Sequence, residues 1–263
     1  MASASSVTSV LEIIFYGPAA LLTITLAAKH GYGWPESWLR VCIWLLVHSG
    51  LRLTNAALSL VTYEISQCDA LYYAVILDSV CLGPILLILV AILRTSHAGQ
   101  PNGWGSAAFV PAQLIAIGAT VVTALGGRAL LFEEYDANLG QLLTRIGALL
   151  FLAGYFVILF MAFWTSRRWD RSIPTKAPAS HALGCVFLCT PLLIVRLVYA
   201  INSTWLDPYR YPMFSPLAPS GIPTWVHFIM AIATEGAVVA AALATGFATK
   251  RPPRATEADT YII

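Results

Sequence analysis

Nine polar side chains interrupt stretches of the sequence that are otherwise strongly apolar. They are Glu12, His48, Arg52, Asn55, Asp78, Arg145, Arg196, His227 and Glu235. A charge near the centre of a bilayer costs roughly 2.5–3.5 kcal/mol, so such groups should face a bundle interior and pair with one another. His48, Arg52 and Asn55 lie at positions i, i+4 and i+7, which places them on one stripe of a helix. Acids and arginines also balance in number, and the set is therefore predicted to share one cavity.

Acid–base chemistry is the reaction type that these residues favour. A carboxylic acid in low-dielectric surroundings can hold its proton at neutral pH and donate it, whereas a carboxylate paired with arginine stays ionised. Asp78 and Glu235 are the candidate catalytic pair, with His48 as a third candidate. The predicted substrate-binding or ion-pairing residues are Glu12, Arg52, Asn55, Arg196 and His227. This arrangement suits protonation of an alkene or epoxide in a lipophilic substrate, followed by ring closure or attack by water.

A purely structural role is the alternative interpretation of the same residues. Polar side chains hold membrane helices together through hydrogen bonds and ion pairs, without any catalytic function. Glu12, Arg145 and His227 are also predicted to lie near a membrane interface, where long side chains can reach water. The number of ionisable groups in the whole set nevertheless favours a functional site.

Familiar cofactor and metal motifs are not found in the sequence. The five cysteines form no CxxC or Cys/His metal-ligand spacing, and no phosphate-binding glycine loop or H-E-x-x-H helix occurs. We therefore predict no metal and no cofactor. The net charge of +2 does not suggest nucleic acid as a partner. A lipophilic small molecule and membrane lipids are the predicted partners.

The elements that must position these residues are membrane-spanning helices. Hydrophobic residues make up 58% of the 263 and charged residues only 11%, less than half the share usual in soluble domains. About 20 apolar residues cross the hydrocarbon core as a helix. We predict an all-α bundle of seven transmembrane helices over residues 1–250. The predicted spans are Val10–Ala28, Trp38–Thr62, Leu71–Leu93, Ala107–Leu125, Leu142–Trp164, Ala182–Ile201 and Thr224–Ala248.

The orientation of the bundle follows from the distribution of Lys and Arg, which are enriched on the cytosolic side of membranes. One side of the membrane carries nine of these Lys and Arg residues and the other side carries two. The larger set is Lys29, Arg94, Arg167, Arg168, Arg171, Lys176, Lys250, Arg251 and Arg254, and the smaller is Arg128 and Arg210. The N-terminus is thus predicted to face the lumen or the exterior, and the C-terminus the cytosol.

Two segments outside the spans attract separate predictions. The connection before the seventh span is rich in proline and aromatic residues, which suits either a lid over the membrane face or a plain connector. Residues 251–263 are polar and are predicted to form a short disordered cytosolic tail.

Prolines within the spans, such as Pro84 and Pro191, predict kinks that free backbone carbonyls.

The first two spans carry a recognisable pattern: an acidic residue before F-Y-x-P, then K/R-H-G, and an R-x-x-N/G pair in the second span. The matching positions are Glu12, Tyr16, Pro18, His30, Gly31 and Arg52. In this pattern the chain resembles a fungal family of seven-span integral membrane proteins of unassigned function, some encoded beside secondary-metabolite pathways.

In size and span number the chain is also similar to the fungal membrane-bound terpene cyclases of meroterpenoid pathways, which use intramembrane acids to start cyclisation. This resemblance implies a cofactor-independent biosynthetic enzyme in the endoplasmic reticulum that cyclises, or opens an epoxide of, a terpenoid or polyketide intermediate. The alternatives are a seven-helix receptor or sensor and a lipid-binding scaffold. A retinal-binding pump is disfavoured because the seventh span contains no lysine.

Overall fold

Every ordered element of the described chain is helical. The computed structural model describes residues 4–30, 37–65, 68–97, 105–131, 137–167, 177–206 and 222–249, and these ranges contain no strand. The α-helices are α1 (Ala4–His30), α2 (Ser37–Ile65), α3 (Cys68–Val80), α4 (Leu82–His97), α5 (Val110–Leu131), α6 (Ala137–Arg167), α7 (Ala177–Trp205), α8 (Ile222–His227) and α9 (Thr234–Ala248). A 3₁₀ turn, Ser106–Phe109, precedes α5, and a π-helical segment, Phe228–Ala233, joins α8 to α9.

Seven helical segments are long and apolar enough to cross a membrane, which confirms the predicted span number. They are Ser6–His30, Trp38–Thr62, Tyr73–His97, Ala107–Leu130, Asn138–Arg167, Ser180–Trp205 and Pro223–Ala248. Large apolar side chains such as Leu21, Leu114 and Leu188 are exposed on the outside of the bundle, as contact with lipid requires. The chain is consistent with a multi-pass integral membrane protein. The predicted tail and most of the connection before the seventh span lie outside the described residues.

The third span lies at the centre of the bundle and is divided into two helices. About 72% of its most apolar window is buried, against 28% for the first span. Every residue from Leu82 to Leu93 is buried, as expected for a helix that is apolar on all sides. The division falls at Cys81, because the ring of Pro84 crowds the carbonyl four residues earlier and supplies no N–H donor. The third span is thus interrupted near Pro84, whereas Pro191 lies inside the continuous helix α7.

The seventh span contains a second irregularity, the π-helical segment between His227 and Glu235. A regular helix turns about 100° per residue, so side chains eight positions apart would face about 80° apart. A π turn contains one extra residue, so the total rotation of the helix between His227 and Glu235 is about 100° smaller than in a regular α-helix. His227 and Glu235 thus come to nearly the same face of the span, toward α2, α3 and α7.

Candidate active site in the bundle core

Arg52 lies at the centre of a buried ion-pair cluster and binds three carboxylates from three other spans. Its Nε and Nη2 atoms donate to Glu235 Oε2, the first at 2.7 Å. Its Nη1 atom donates to Asp78 Oδ1 at 2.7 Å and to Glu12 Oε1 at 3.2 Å. The Arg52 side chain has no exposed surface. The guanidinium therefore connects α1, α2, α3 and α9.

Arg196 adds the sixth span to the same cluster. Its Nε donates to Glu235 Oε1, and its Nη2 donates to the backbone carbonyl of Asp78 at 3.0 Å. The same Nη2 lies 3.6 Å from Asp78 Oδ2. Glu235 thus receives hydrogen bonds from two arginines and is completely buried. The ion-pair cluster, defined as Glu12, Arg52, Asp78, Arg196 and Glu235, joins five of the seven spans.

A chain of polar groups leads from the ion-pair cluster through His227 to Tyr199. His227 Nε2 lies 3.6 Å from Asp78 Oδ1, and His227 Nδ1 shares a hydrogen bond of 2.9 Å with the Tyr199 hydroxyl. The guanidinium of Arg196 lies over the Tyr199 ring, 5.6 Å from its centroid. The His227–Tyr199 contact is a hydrogen bond, whereas the 3.6 Å between His227 and Asp78 exceeds a hydrogen-bond distance. A proton can therefore pass directly between the imidazole and the phenol, and between the imidazole and the carboxylate once the ring moves closer to Asp78.

A cavity of about 50 Å³ adjoins this chain of groups. Asp78, Arg196 and Tyr199 contribute to its wall, so it meets the ion-pair cluster on one side. Four hydroxyl-bearing residues, Thr123, Thr144, Ser203 and Thr204, and three apolar ones, Leu82, Ala148 and Phe151, are among the remaining lining residues. Ligand pockets usually measure roughly 300–1,000 Å³, so this cavity accommodates only a small part of a lipophilic molecule.

His48 occupies a deeper position, beside the division of the third span. The ring is completely buried, its Nε2 atom lies 3.6 Å from Glu235 Oε2, and neither nitrogen makes a hydrogen bond. The Tyr16 ring packs edge-on against it at 5.5 Å, and the Tyr16 hydroxyl donates to the Ile232 carbonyl in the π-helical segment. The thiol of Cys81 lies close to both His48 and Glu235.

Most of the residues predicted from the sequence come together in one place. Glu12, Arg52, Asp78, Arg196 and Glu235 form the cluster, and His48 and His227 adjoin it. Asn55 is buried on the same helix as Arg52, but its Oδ1 atom makes no hydrogen bond. The wall of the cavity includes Asp78, whereas Glu235 and His48 are not among its described lining residues.

Arg145 does not join the cluster, so the expected balance of three acids with three arginines is not what the structure shows. Its guanidinium lies over the Trp205 ring at 5.0 Å, and its Nε atom is 3.5 Å from the Thr204 carbonyl. Both contacts are at the end of α7. Near a helix end, a long arginine side chain can reach the interface, and a buried acid is not required to neutralise it.

Three residues beside the cluster were not predicted as site residues: Tyr16, which the sequence analysis named only as part of the family pattern, Cys81 and Tyr199. All three are apolar enough to fit a membrane span, so nothing in their type distinguishes them from packing residues. Tyr199 had one available signal, because it follows Arg196 by three positions and therefore lies on the same helix face. For Cys81 the available signal was the nearby Pro84, which predicts an irregularity in the third span.

Comparison with known proteins gives one match. The model of a family described as a domain of unknown function, DUF7702, matches residues 3–252 of the chain. No curated protein and no solved structure matches the chain. The matched region contains all seven spans and the whole ion-pair cluster. Because the function of that family is unknown, the function of the chain has to be inferred from the geometry of its side chains.

Proposed function

The chain belongs to the DUF7702 family of unknown function, and we propose that it is a membrane-embedded enzyme that performs acid–base chemistry on a lipophilic substrate. One observation carries the proposal: Asp78 and Tyr199, the two ends of the chain of groups that passes through His227, both line one cavity. A merely structural ion pair has no need of an imidazole and a phenol that lead back to the same open space. Tyr199 and Asp78 would therefore be catalytic residues, since both line the cavity.

The proposed reaction is the opening of an epoxide or the cyclisation of an alkene. Tyr199, supplied through His227, donates a proton to the epoxide oxygen as the carbon–oxygen bond breaks. An internal alkene or a water molecule attacks the carbon that becomes electron-deficient, and the Asp78 carboxylate stabilises the positive charge. The proton lost by the attacking group returns to the same chain of groups, so that no cofactor is consumed.

The size of the cavity suits a substrate whose body remains in the lipid. Only the reacting end needs to enter, where Phe151 and Leu82 offer apolar surface and Thr123 and Thr144 offer hydroxyl groups. A lipophilic intermediate partitions into the bilayer and reaches the protein laterally, which explains why the catalyst is a membrane protein. A terpenoid or polyketide intermediate has this character.

Several finer parts of the proposal come from the resemblance described above. These are a fungal origin, residence in the endoplasmic reticulum, and a role like that of the membrane-bound terpene cyclases of meroterpenoid pathways. Support for them is limited to the shared size, the seven spans and the intramembrane acids. In this proposal Glu235 is a positioning residue, because its carboxylate holds Arg52 and Arg196 in place.

A lipid-binding scaffold or a seven-helix receptor is the second candidate, and one observation favours it. Both oxygens of Glu235 are occupied by arginines, as expected of an ion pair that locks helices together. A scaffold would bind a lipophilic molecule at the cavity without changing it.

The enzyme proposal is tested with Tyr199→Phe, which removes the hydroxyl at the cavity and leaves the ion-pair cluster intact. The purified full-length protein would be incubated in lipid nanodiscs with a panel of polyprenyl compounds bearing a terminal epoxide, and products followed by mass spectrometry. We expect turnover by the native protein and a loss of about 10²–10⁴-fold in kcat for the variant.

Tyr155→Phe is the matched control, because Tyr155, like Tyr199, is a buried tyrosine. Its hydroxyl donates to the backbone carbonyl of Thr190 and not to a group of the proposed site. The control variant should retain the native rate. Binding of the epoxides without conversion, by native protein and both variants alike, would contradict the enzyme proposal and support the scaffold.

A further inference from the structure

We propose that His48, Cys81 and Glu235 form a binding site for a divalent transition metal, with Zn²⁺ as the preferred ion. The site lies below the cavity, between α2, the division of the third span and α9. It shares Glu235 with the ion-pair cluster, but neither the cavity nor the chain of groups from Asp78 to Tyr199 includes His48 or Cys81, so variants at these two residues test the metal site separately.

The spacing of the three ligand atoms suits a tetrahedral ion. One nitrogen of His48, the sulfur of Cys81 and a carboxylate oxygen of Glu235 all lie within 4.8 Å of one another. Zinc bonds of about 2.0–2.3 Å in a tetrahedron place neighbouring ligand atoms roughly 3.3–3.8 Å apart. The 3.6 Å between His48 Nε2 and Glu235 Oε2 is already in this range and exceeds a hydrogen-bond distance.

The second observation is the state of His48. This imidazole is completely buried, yet neither of its nitrogens makes a hydrogen bond. A buried polar group without a partner costs on the order of 1–3 kcal/mol, so such groups usually have a reason to be there. A metal ion at one of the two nitrogens would satisfy that side of the ring.

The charges around the site give a third argument. Among the described residues, the ion-pair cluster contains three carboxylates, of Glu12, Asp78 and Glu235, but only two guanidinium groups. Full ionisation therefore leaves one uncompensated negative charge in a buried region, which is costly. A Zn²⁺ ion that binds Cys81 as a thiolate, with release of the thiol proton, adds one net positive charge. The cluster then becomes neutral.

Glu235 has capacity for a metal in addition to its arginines. A carboxylate offers about four lone-pair sites, and the hydrogen bonds from Arg52 and Arg196 occupy three of them, two on Oε2 and one on Oε1. The open site is on Oε1, so a metal bound through Oε2, the oxygen 3.6 Å from His48, displaces one of the two Arg52 hydrogen bonds. Metal-ligating carboxylates are commonly held by such second-shell donors, which fix their orientation. Thiolate, imidazole and carboxylate ligands together favour zinc over magnesium or calcium. Three protein ligands leave the fourth position open for water or another small ligand.

The site escaped the sequence analysis because its ligands come from three different spans. No local spacing of Cys and His records the site, which is why the sequence predicted no metal. The two irregularities of the fold bring the ligands together: the division at Cys81 and the π-helical segment before Glu235.

The test measures metal in the full-length protein purified in detergent. After treatment with a chelator and reconstitution with Zn²⁺, we expect one zinc per chain by mass spectrometry of the metal. Reconstitution with Co²⁺ should give the thiolate-to-cobalt charge-transfer absorption and the intense visible bands of a tetrahedral ion. Both His48→Ala and Cys81→Ser should lose the bound metal, and Cys81→Ser should also lose the charge-transfer band.

Cys42→Ser is the matched control, because Cys42 is another buried cysteine and lies on the same helix as His48. It should retain both the zinc and the cobalt spectrum. Native protein that takes up no zinc and shows no cobalt spectrum would overturn the proposal without reference to any variant. Equal zinc in the native protein and in Cys81→Ser would overturn it as well. Neither result bears on turnover of the epoxide panel, so the two proposals fail separately.

Discussion

The two sides of Cys81 in the third span are held together by different forces. The α4 side, which we call the apolar half, is surrounded by hydrocarbon, with every residue from Leu82 to Leu93 buried. The α3 side, the polar half, contains Asp78 and meets Arg52 and Arg196. Dispersion contacts hold the first half, and they are individually weak and numerous. A few charged groups hold the second, and each depends on a specific partner.

This difference predicts how each half responds to substitution. Loss of one methyl group removes a small fraction of the contacts in the apolar half, and neighbouring side chains can partly fill the space. Loss of one charge in the polar half leaves its partners buried and unpaired, and side-chain repacking cannot restore a charge. The polar half should therefore be the more sensitive of the two.

The largest effect is expected for Arg52→Met, which removes the guanidinium shared by Glu12, Asp78 and Glu235. Arg196 would still contact Asp78 and Glu235, but Glu12 would lose the guanidinium that it contacts. We expect a loss of about 3–5 kcal/mol in the free energy of unfolding, typical of a broken buried ion pair. Thermal unfolding of the purified protein in detergent measures it.

Arg145→Met is the control for this prediction, because Arg145 lies over Trp205 and outside the cluster. Its loss should cost about 0–1 kcal/mol, as for a peripheral charge. Equal destabilisation by both substitutions would show that membership of the ion-pair cluster does not determine the cost of losing an arginine.

An intermediate effect is expected for Gly126→Ala, which extends the comparison to the close contact between α5 and α6, outside the third span. A Cβ atom at Gly126 would lie 2.6 Å from the backbone nitrogen of Thr144 on α6. Because backbone cannot move aside locally, α5 and α6 must separate, at a cost of about 1–3 kcal/mol. Thermal unfolding again provides the measurement.

Gly118→Ala on the same helix is the matched control, since nothing lies within 4 Å of its added Cβ atom. There the better helix propensity of alanine should leave stability unchanged or raise it by up to about 1 kcal/mol. A result in which both glycine substitutions behave alike would remove the argument for close contact between α5 and α6.

The smallest effect is expected for Ile88→Val in the apolar half. Ile88 is completely buried in α4, and the substitution removes a single methyl group. We expect a loss of about 0.5–1.5 kcal/mol, with the protein still monodisperse by size-exclusion chromatography. A loss as large as that of Arg52→Met would mean that the apolar half is no more tolerant than the polar half.

The sequence was sufficient for the spans and for most of the cluster, for a simple physical reason. Lipid excludes unpaired charge and demands about 20 apolar residues per helix, so both features leave strong local signals. Glu12, Arg52, Asp78, Arg196 and Glu235 were all identifiable as charges in apolar surroundings. Their convergence was also predictable, because an unpaired charge in lipid is costly and acids and arginines must therefore meet.

The remaining features depend on helix phase and contacts between distant spans, which the sequence does not record locally. The segment FIMAIA at residues 228–233 contains no proline or glycine, so its π-helical geometry had no sequence signal. The link from His227 to Tyr199 depends on the resulting rotation of the seventh span. The placement of Arg145 beside Trp205 depends on how α6 and α7 pack.

The connectivity of the ion-pair cluster has a consequence for biosynthesis. Spans leave the ribosome in order, and Glu12 is already in place when Arg52 arrives. Asp78 likewise precedes Arg196, and Glu235, which binds both arginines, is the last member to be made. Each arginine of the cluster thus has an anionic partner on a helix that precedes it in the chain, so neither of these two guanidinium groups needs to enter the hydrocarbon before a partner has been made.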